Sequence, residues 1–161
     1  VYKRQEVTSL ESIRFRQEEA WEDAARHALQ AADAILAEAP GRSAWDCARG
    51  CAHCCHLPVM ATPSEVALLL EKVSLTSQQR ARIEEFESGR CAFLGDDDCC
   101  EIYEARPLKC RAHTSSSVAA CADPTRPVPM DPWPVRVIQA LHAGMGEEPE
   151  KLHAALRRAL S

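Results

Sequence analysis

The chain has 161 residues, a formal charge of −5 and 46% hydrophobic residues, of which few are aromatic (5%). That length suits one domain, and an apolar mass supplied by alanine and leucine favours helices over sheets. No basic run is long enough to make a phosphate-binding face, so nucleic acid is a poor candidate partner, and no run reaches the ~20 apolar residues of a membrane helix.

The first fifteen residues, "VYKRQEVTSLESIRF", carry no apolar h-region, so no signal peptide is expected. They also lack an initiator Met, which places the natural start upstream or trimmed; a soluble cytoplasmic protein is the simplest expectation. Residues 9–39 read as one long helix. Thr8 and Glu11 make a capping-box pattern, and Ile13, Trp21, Ala24, Ala28, Ala32, Ile35 and Leu36 recur at three- and four-residue steps. Pro40-Gly41 ends it.

Next comes "CARGCAHCCH" at 47–56, with four cysteines and two histidines in ten positions. As a straight helix, Cys47 and Cys55 would stand roughly 12 Å apart along the axis, whereas the sulfurs on one tetrahedral ion need only about 4 Å between them. Either Gly50 breaks the segment into a knuckle or its sulfurs are divided between sites. Downstream, "TPSE" at 62–65 predicts a second helix to about Val73, with Thr62 as cap, Pro63 in first position and Glu65 closing the box. "TSQQ" at 76–79 opens a third, running to Gly89.

The texture then changes. Two short apolar pieces around 95–98 suit a small hairpin, and residues 112–134, rich in Ser and Pro, read as an irregular connection. Two further helices are expected at 134–143 and about 149–160.

Nine cysteines need a reason. A secreted disulfide scaffold would show an even count and an export signal, and neither is present, so clustered thiols point to metal ligation. The C-x2-C pair Cys51/Cys54 alone is weak evidence, since zinc and iron–sulfur sites share it; C-x3-C-x2-C-C followed by Cys91, Cys99, Cys100, Cys110 and Cys121 is strong.

"CARGCAHCCHLPVMATPSE", "CAFLGDDDCCEIYEARPLKCR" and "SVAAC" together resemble the YkgJ-like cysteine-cluster family of zinc- or iron-chelating domains. The resemblance covers about residues 47–121. It implies metal chelation by Cys47, Cys51, Cys54, Cys55, Cys91, Cys100 and Cys110, with Cys121 completing the set. Cys99 has no counterpart in the family pattern. Eight such thiolates permit two four-sulfur sites or one multinuclear cluster. Adjacent Cys54 and Cys55 could send one sulfur to each of two ions, or one could bridge. Two divalent ions would leave four negative charges on the sulfurs, and Arg106, Lys109 and Arg111 flank Cys110 as if to offset them.

Other residues have plainer readings. His53, His56 and His113 could replace a thiolate, but the cysteines suffice without them. Asp96, Asp97 and Asp98 suit a solvated turn better than a hard-cation site. Tyr103 is expected under the hairpin, and Trp21, Trp45 and Trp133 as core anchors. The expectation is a mostly helical single domain over 1–161: an N-terminal helix (1–40), a cysteine-rich irregular metal-binding centre (44–121) that admits a short β-hairpin, and C-terminal helices (134–161). The function expected of it is to bind one or two zinc or iron ions. The alternative is an iron–sulfur or di-iron redox protein, and no catalytic residue or protein partner stands out. A thioredoxin-like dithiol would need a βαβ context that the pattern lacks.

Overall fold

The computed structural model describes residues 10–85, 89–123, 125 and 127–161, with side chains from residue 17 onward. The first helix, α1, spans Leu10–Ala37. Thr8 and the side chains of Glu11 and Ile13 lie outside the described part, and so does the stretch leading to Gly89. The buried stripe of α1 runs through Ala25, Ala28, Leu29, Ala32 and Leu36, while Ile35, expected inside, is 39% exposed. Small alanines on that stripe let α1 approach closely two later helices, α2 (Pro63–Lys72) and α6 (Pro132–Met145).

Helix α2 starts where the sequence indicates. Thr62 Oγ1 accepts from the Glu65 N–H at 3.3 Å, and Glu65 Oε2 accepts from the Thr62 N–H at 2.8 Å, a complete capping box worth about 1 kcal/mol. Glu65 does more than cap. Its side chain is fully buried, its Oε1 accepts from Leu108 N–H at 2.7 Å, and its Oε2 lies 3.1 Å from His142 Nε2. Burial pushes its carboxyl pKa up, but the bonds from His142, Thr62 and Leu108 outweigh that and hold it below the usual range. One carboxylate thus ties α2 to α6 and to the start of α4 (Leu108–Ala112), which carries Cys110.

Opposite faces of α2 serve two apolar clusters. Leu68 packs with Ala25, Leu29 and Ala32 of α1, with Leu108, and with Ile138 and Met145 of α6. Val66 and Leu69 pack with Ile83 of α3 (Ser77–Glu85), with Phe93 and Ile102, and with Leu152 and Leu156 of α7 (Leu152–Leu160). Trp21, Trp45 and Trp133 are half-buried and belong to neither cluster, which corrects their expected role as anchors.

The start of α3 carries its own reciprocal cap. Thr76 Oγ1 accepts from Gln79 N–H at 3.1 Å, and Gln79 Oε1 accepts from Thr76 N–H at 2.9 Å. The hairpin expected around 95–98 is a tight turn closed by a single antiparallel bridge, Leu94 to Cys100, with Gly95 N–H donating to Cys99 O at 2.8 Å. A Cβ on Gly95 would stand 2.6 Å from Asp97 Oδ1 and 3.2 Å from Cys99 O, so any larger residue would have to displace the Asp97 side chain and crowd the backbone of the turn. The named strands lie elsewhere: β1 (Met60–Ala61) pairs antiparallel with β2 (Glu150–Lys151), Met60 opposite Lys151.

Residues 112–134, read as irregular, contain α5 (Val118–Ala122), capped by Ser117 Oγ accepting from Ala120 N–H at 3.1 Å. Helix α6 begins at Pro132, two residues before its expected start, because Asp131 caps it by accepting from Trp133 N–H at 2.9 Å. Among the described residues no helix is long and apolar enough to cross a membrane.

Candidate metal centre

The segment from Cys47 to Ala52 is not helical. Gly50 adopts φ +91°, a left-handed turn, and the chain re-enters a single 3-10 turn at His53–His56. The break at Gly50, one of the two alternatives the sequence left open, is therefore present, and it delivers Cys51, Cys54 and Cys55 from a bend instead of a helix face. Cys55 O accepts from Cys91 N–H at 2.8 Å, which fastens the second cysteine segment to the first. The 94–100 turn brings Cys100 back, and α4 brings Cys110. Helix α5, bearing Cys121, packs on the His53–His56 turn.

These segments enclose a cavity of about 330 Å³, lined by every cysteine expected to be a ligand except Cys121. All nine cysteines are free and half-buried. Cys99 lies off the cavity wall: its sulfur stands 3.9 Å from where a Cβ on Gly50 would sit, and its N–H donates to Asp97 Oδ1 at 3.1 Å.

Mutual influence links the thiols into an inner and an outer set that share Cys54. In the inner set, burial pushes Cys91 up to about 11, with Cys100 and Cys54 adding to it. Burial also raises Cys110 strongly, reinforced by Cys91, Cys54 and Cys100, and it raises Cys100, reinforced by Cys54. Cys54 is raised most of all, first by its hydrogen bond with Cys55 and then by burial. Every pairing among Cys54, Cys91, Cys100 and Cys110 is thus close enough to be felt electrostatically.

In the outer set, burial raises Cys47 and Cys51. Neighbouring thiols push both further: Cys51, Cys121 and the inner-set Cys54 act on Cys47, and Cys54 and Cys121 act on Cys51.

Backbone amides face these sulfurs. Ser115 N–H donates to Cys47 Sγ at 3.1 Å, and the amides of His53, Phe93 and Ile102 donate to Cys51, Cys91 and Cys100 respectively. In the last three the donor lies two residues after the cysteine, a local turn that aims N–H at sulfur. Such donors stabilise a thiolate far more than a thiol, which is how proteins hold metal-bound sulfur.

The cations divide unequally. Arg106 lines the cavity, stacks on Tyr103 with its guanidinium 3.6 Å from the ring centroid, and lowers the pKa of Cys54, Cys100 and Cys110 against the burial that raises them. Arg49 covers the same ring at 5.9 Å, so Tyr103 faces two guanidinium groups. Arg111 is spent on structure: it pairs with Asp33 and donates to the carbonyls of Arg106 (2.9 Å) and Glu104 (3.0 Å). Of the three cations flanking Cys110, Arg106 is the one that acts on the sulfurs.

His56 Nδ1 is exposed and lies 2.6 Å from Gly89 O, while His113 is half-buried on the cavity wall, its pKa lowered by burial and by Lys109. The Asp96–Asp98 turn is exposed to solvent, as expected, and partly paired: Asp96 meets Arg82 (3.5 Å) and Arg90 (3.3 Å), and Asp97 takes the Cys99 amide. Sequence reasoning missed Ser115 and the Arg49–Tyr103 contact, because both act across loops far apart in sequence.

Among the described residues, no three His, Cys, Asp or Glu side chains are already gathered as a metal-binding group. The donor chemistry nonetheless fits a soft or borderline cation: thiols converging on one cavity, amides aimed at sulfur, and an arginine for countercharge.

Residues 46–128, just over half of the chain, match the CxxCxxCC family, described as a "putative zinc- or iron-chelating domain". The protein belongs to that family, and metal chelation is its class of activity. The comparisons with curated proteins and with solved structures return no match.

Proposed function

We propose that the protein chelates two divalent ions, zinc or iron, through two sets of thiolates. Cys54, Cys91, Cys100 and Cys110 hold the inner ion. Cys47, Cys51 and Cys121 hold the outer one, completed by Cys55, so that the adjacent pair Cys54/Cys55 sends one sulfur each way. The observation that carries this reading is the inner tetrad, in which all pairings are within electrostatic reach although its members come from three separate segments of the chain.

The raised pKa values of Cys47, Cys51, Cys54, Cys91, Cys100 and Cys110 mean that these six are protonated near neutrality until a cation displaces the protons. Binding draws the sulfurs together, and Arg106 and the facing amides stabilise the charge left on them. Four sulfurs close a tetrahedral ion and leave no position for substrate, so the bound ion supplies folding energy or is itself the cargo.

Native mass spectrometry of anaerobically purified protein, titrated with Zn²⁺ or Fe²⁺, tests the proposal. Saturation at two ions per chain, dropping to one in Cys91→Ser and to one in Cys47→Ser, is expected. Iron accompanied by acid-labile sulfide would replace this reading with a redox cluster, and no bound metal would end it.

A further inference from the structure

Thr114 contributes to the wall of the cysteine cavity and is only 6% exposed. Its backbone is fully engaged: the N–H donates to Ala112 O at 3.0 Å and the carbonyl accepts from Asp131 N–H at 3.1 Å. Its hydroxyl is not. Thr114 Oγ1 is the one buried side-chain oxygen or nitrogen among the described residues without a hydrogen-bond partner. Leaving a buried hydroxyl unpaired is costly, and a valine of the same shape would avoid that cost.

Its surroundings indicate what the hydroxyl is for. The next residue, Ser115, already gives its N–H to Cys47 Sγ. On the other side, Cys110 stands four positions earlier on the same cavity wall. Cys51, Cys91 and Cys100 each have an amide donor, but among the described residues the structure shows no backbone amide donating to the sulfur of Cys110 or Cys55, and Cys55 already meets Cys54. A neutral thiol is a poor acceptor, whereas a metal-bound sulfur is a strong one and takes one or more donors from its surroundings.

We infer that Thr114 is a positioning residue whose hydroxyl donates to a metal-bound sulfur of this cavity, Cys110 having the most to gain. The inference rests on the chelation reading above. It assigns a role to a residue outside the cysteine pattern, one that stands idle until metal is bound.

The test compares wild type with Thr114→Val and Thr114→Ser. Zinc affinity is measured by competition with a chromophoric chelator, and the sulfur-to-metal charge-transfer band is recorded after Co²⁺ loading. Thr114→Val should bind one ion about tenfold more weakly and shift the band, while Thr114→Ser, which keeps the hydroxyl, restores both. Without metal, Thr114→Val should melt at or above the wild-type temperature.

If wild type binds no metal, the chelation reading falls and takes this one with it. If wild type binds two ions and Thr114→Val matches it in affinity and band, only the role of Thr114 is overturned. Equal losses in both variants, or a Thr114→Val chain that cannot fold even without metal, would make the hydroxyl structural and equally contradict it.

Discussion

The inner and outer cysteines are held by different means. Cys91, Cys100 and Cys110 pack against the apolar cluster of Val66, Leu69, Ile83, Phe93, Leu152 and Leu156, so three of the four inner cysteines border a hydrophobic core. Cys47 is held by Ser115 through hydrogen bonds, and Cys121 rides on the five-residue α5. Polar backbone contacts and a short helix open at lower cost than a packed core. On the proposed two-ion reading, an inner ion would therefore act on the fold, whereas an outer ion would be attached to a segment that can loosen while the fold persists.

The widest gap between the halves should appear in stability. Cys110→Ser and Cys91→Ser should each lose the inner ion and destabilise the loaded protein by about 3 kcal/mol or more, because metal-binding energy there is folding energy. Cys51→Ser, which loses the outer ion, should cost about 1 kcal/mol or less of global stability. Urea unfolding of the metal-loaded variants reads both values, and equal costs would erase the distinction.

Release rates sharpen the same contrast. Excess chelator should strip metal from wild type in two phases of equal amplitude, the outer ion leaving at least about tenfold faster, equivalent to ~1.4 kcal/mol. Cys51→Ser should retain only the slow phase. A single phase for both ions would place them in equivalent surroundings.

Acid should act on the inner half first. His153 is buried on α7 and its Nε2 accepts from Ala92 N–H at 3.1 Å, next to Cys91. Burial, with Arg157 adding to it, pushes its pKa down to about 4. The unfolded chain takes up the proton near pH 6.5 while the folded chain resists it, so this contribution is complete above that pH. It is lost progressively as pH falls towards 4, by about 1–2 kcal/mol once solvent screening is allowed for. Glu65 acts in a lower window: its depressed pKa gives stability that is present above about 4.5 and lost as pH falls through the folded value. Metal-free unfolding free energies at pH 7, 5.5 and 4.5 should decline in that order, and His153→Gln should flatten the decline between 7 and 5.5.

Much of the helical frame was legible in the sequence because its signals are local. The Thr62/Glu65 box falls on the residues expected, α3 opens in the expected "TSQQ" stretch, and the helical spacing of α1 located its span, although Ile35 shows the stripe turned slightly from its expected face. Helix α5 and the β1–β2 pair were missed for opposite reasons. Val118–Ala122 is too short for periodicity, and Met60–Ala61 finds its partner ninety residues away. In the site, the cysteine spacing pointed to one centre, and the cavity collects all of the expected ligands but Cys121 on its wall. What spacing cannot carry is the arrangement between segments: the contrast between the two thiol sets, the double arginine cover on Tyr103, and the idle hydroxyl of Thr114.

The measurement that tests the central claim most directly is X-ray absorption at the metal edge of protein loaded with two zinc ions. The account predicts a first shell made of sulfur alone, four per ion, at about 2.3 Å. A shell dominated by nitrogen or oxygen near 2.0–2.1 Å would mean that histidines or carboxylates hold the metal, and would contradict it.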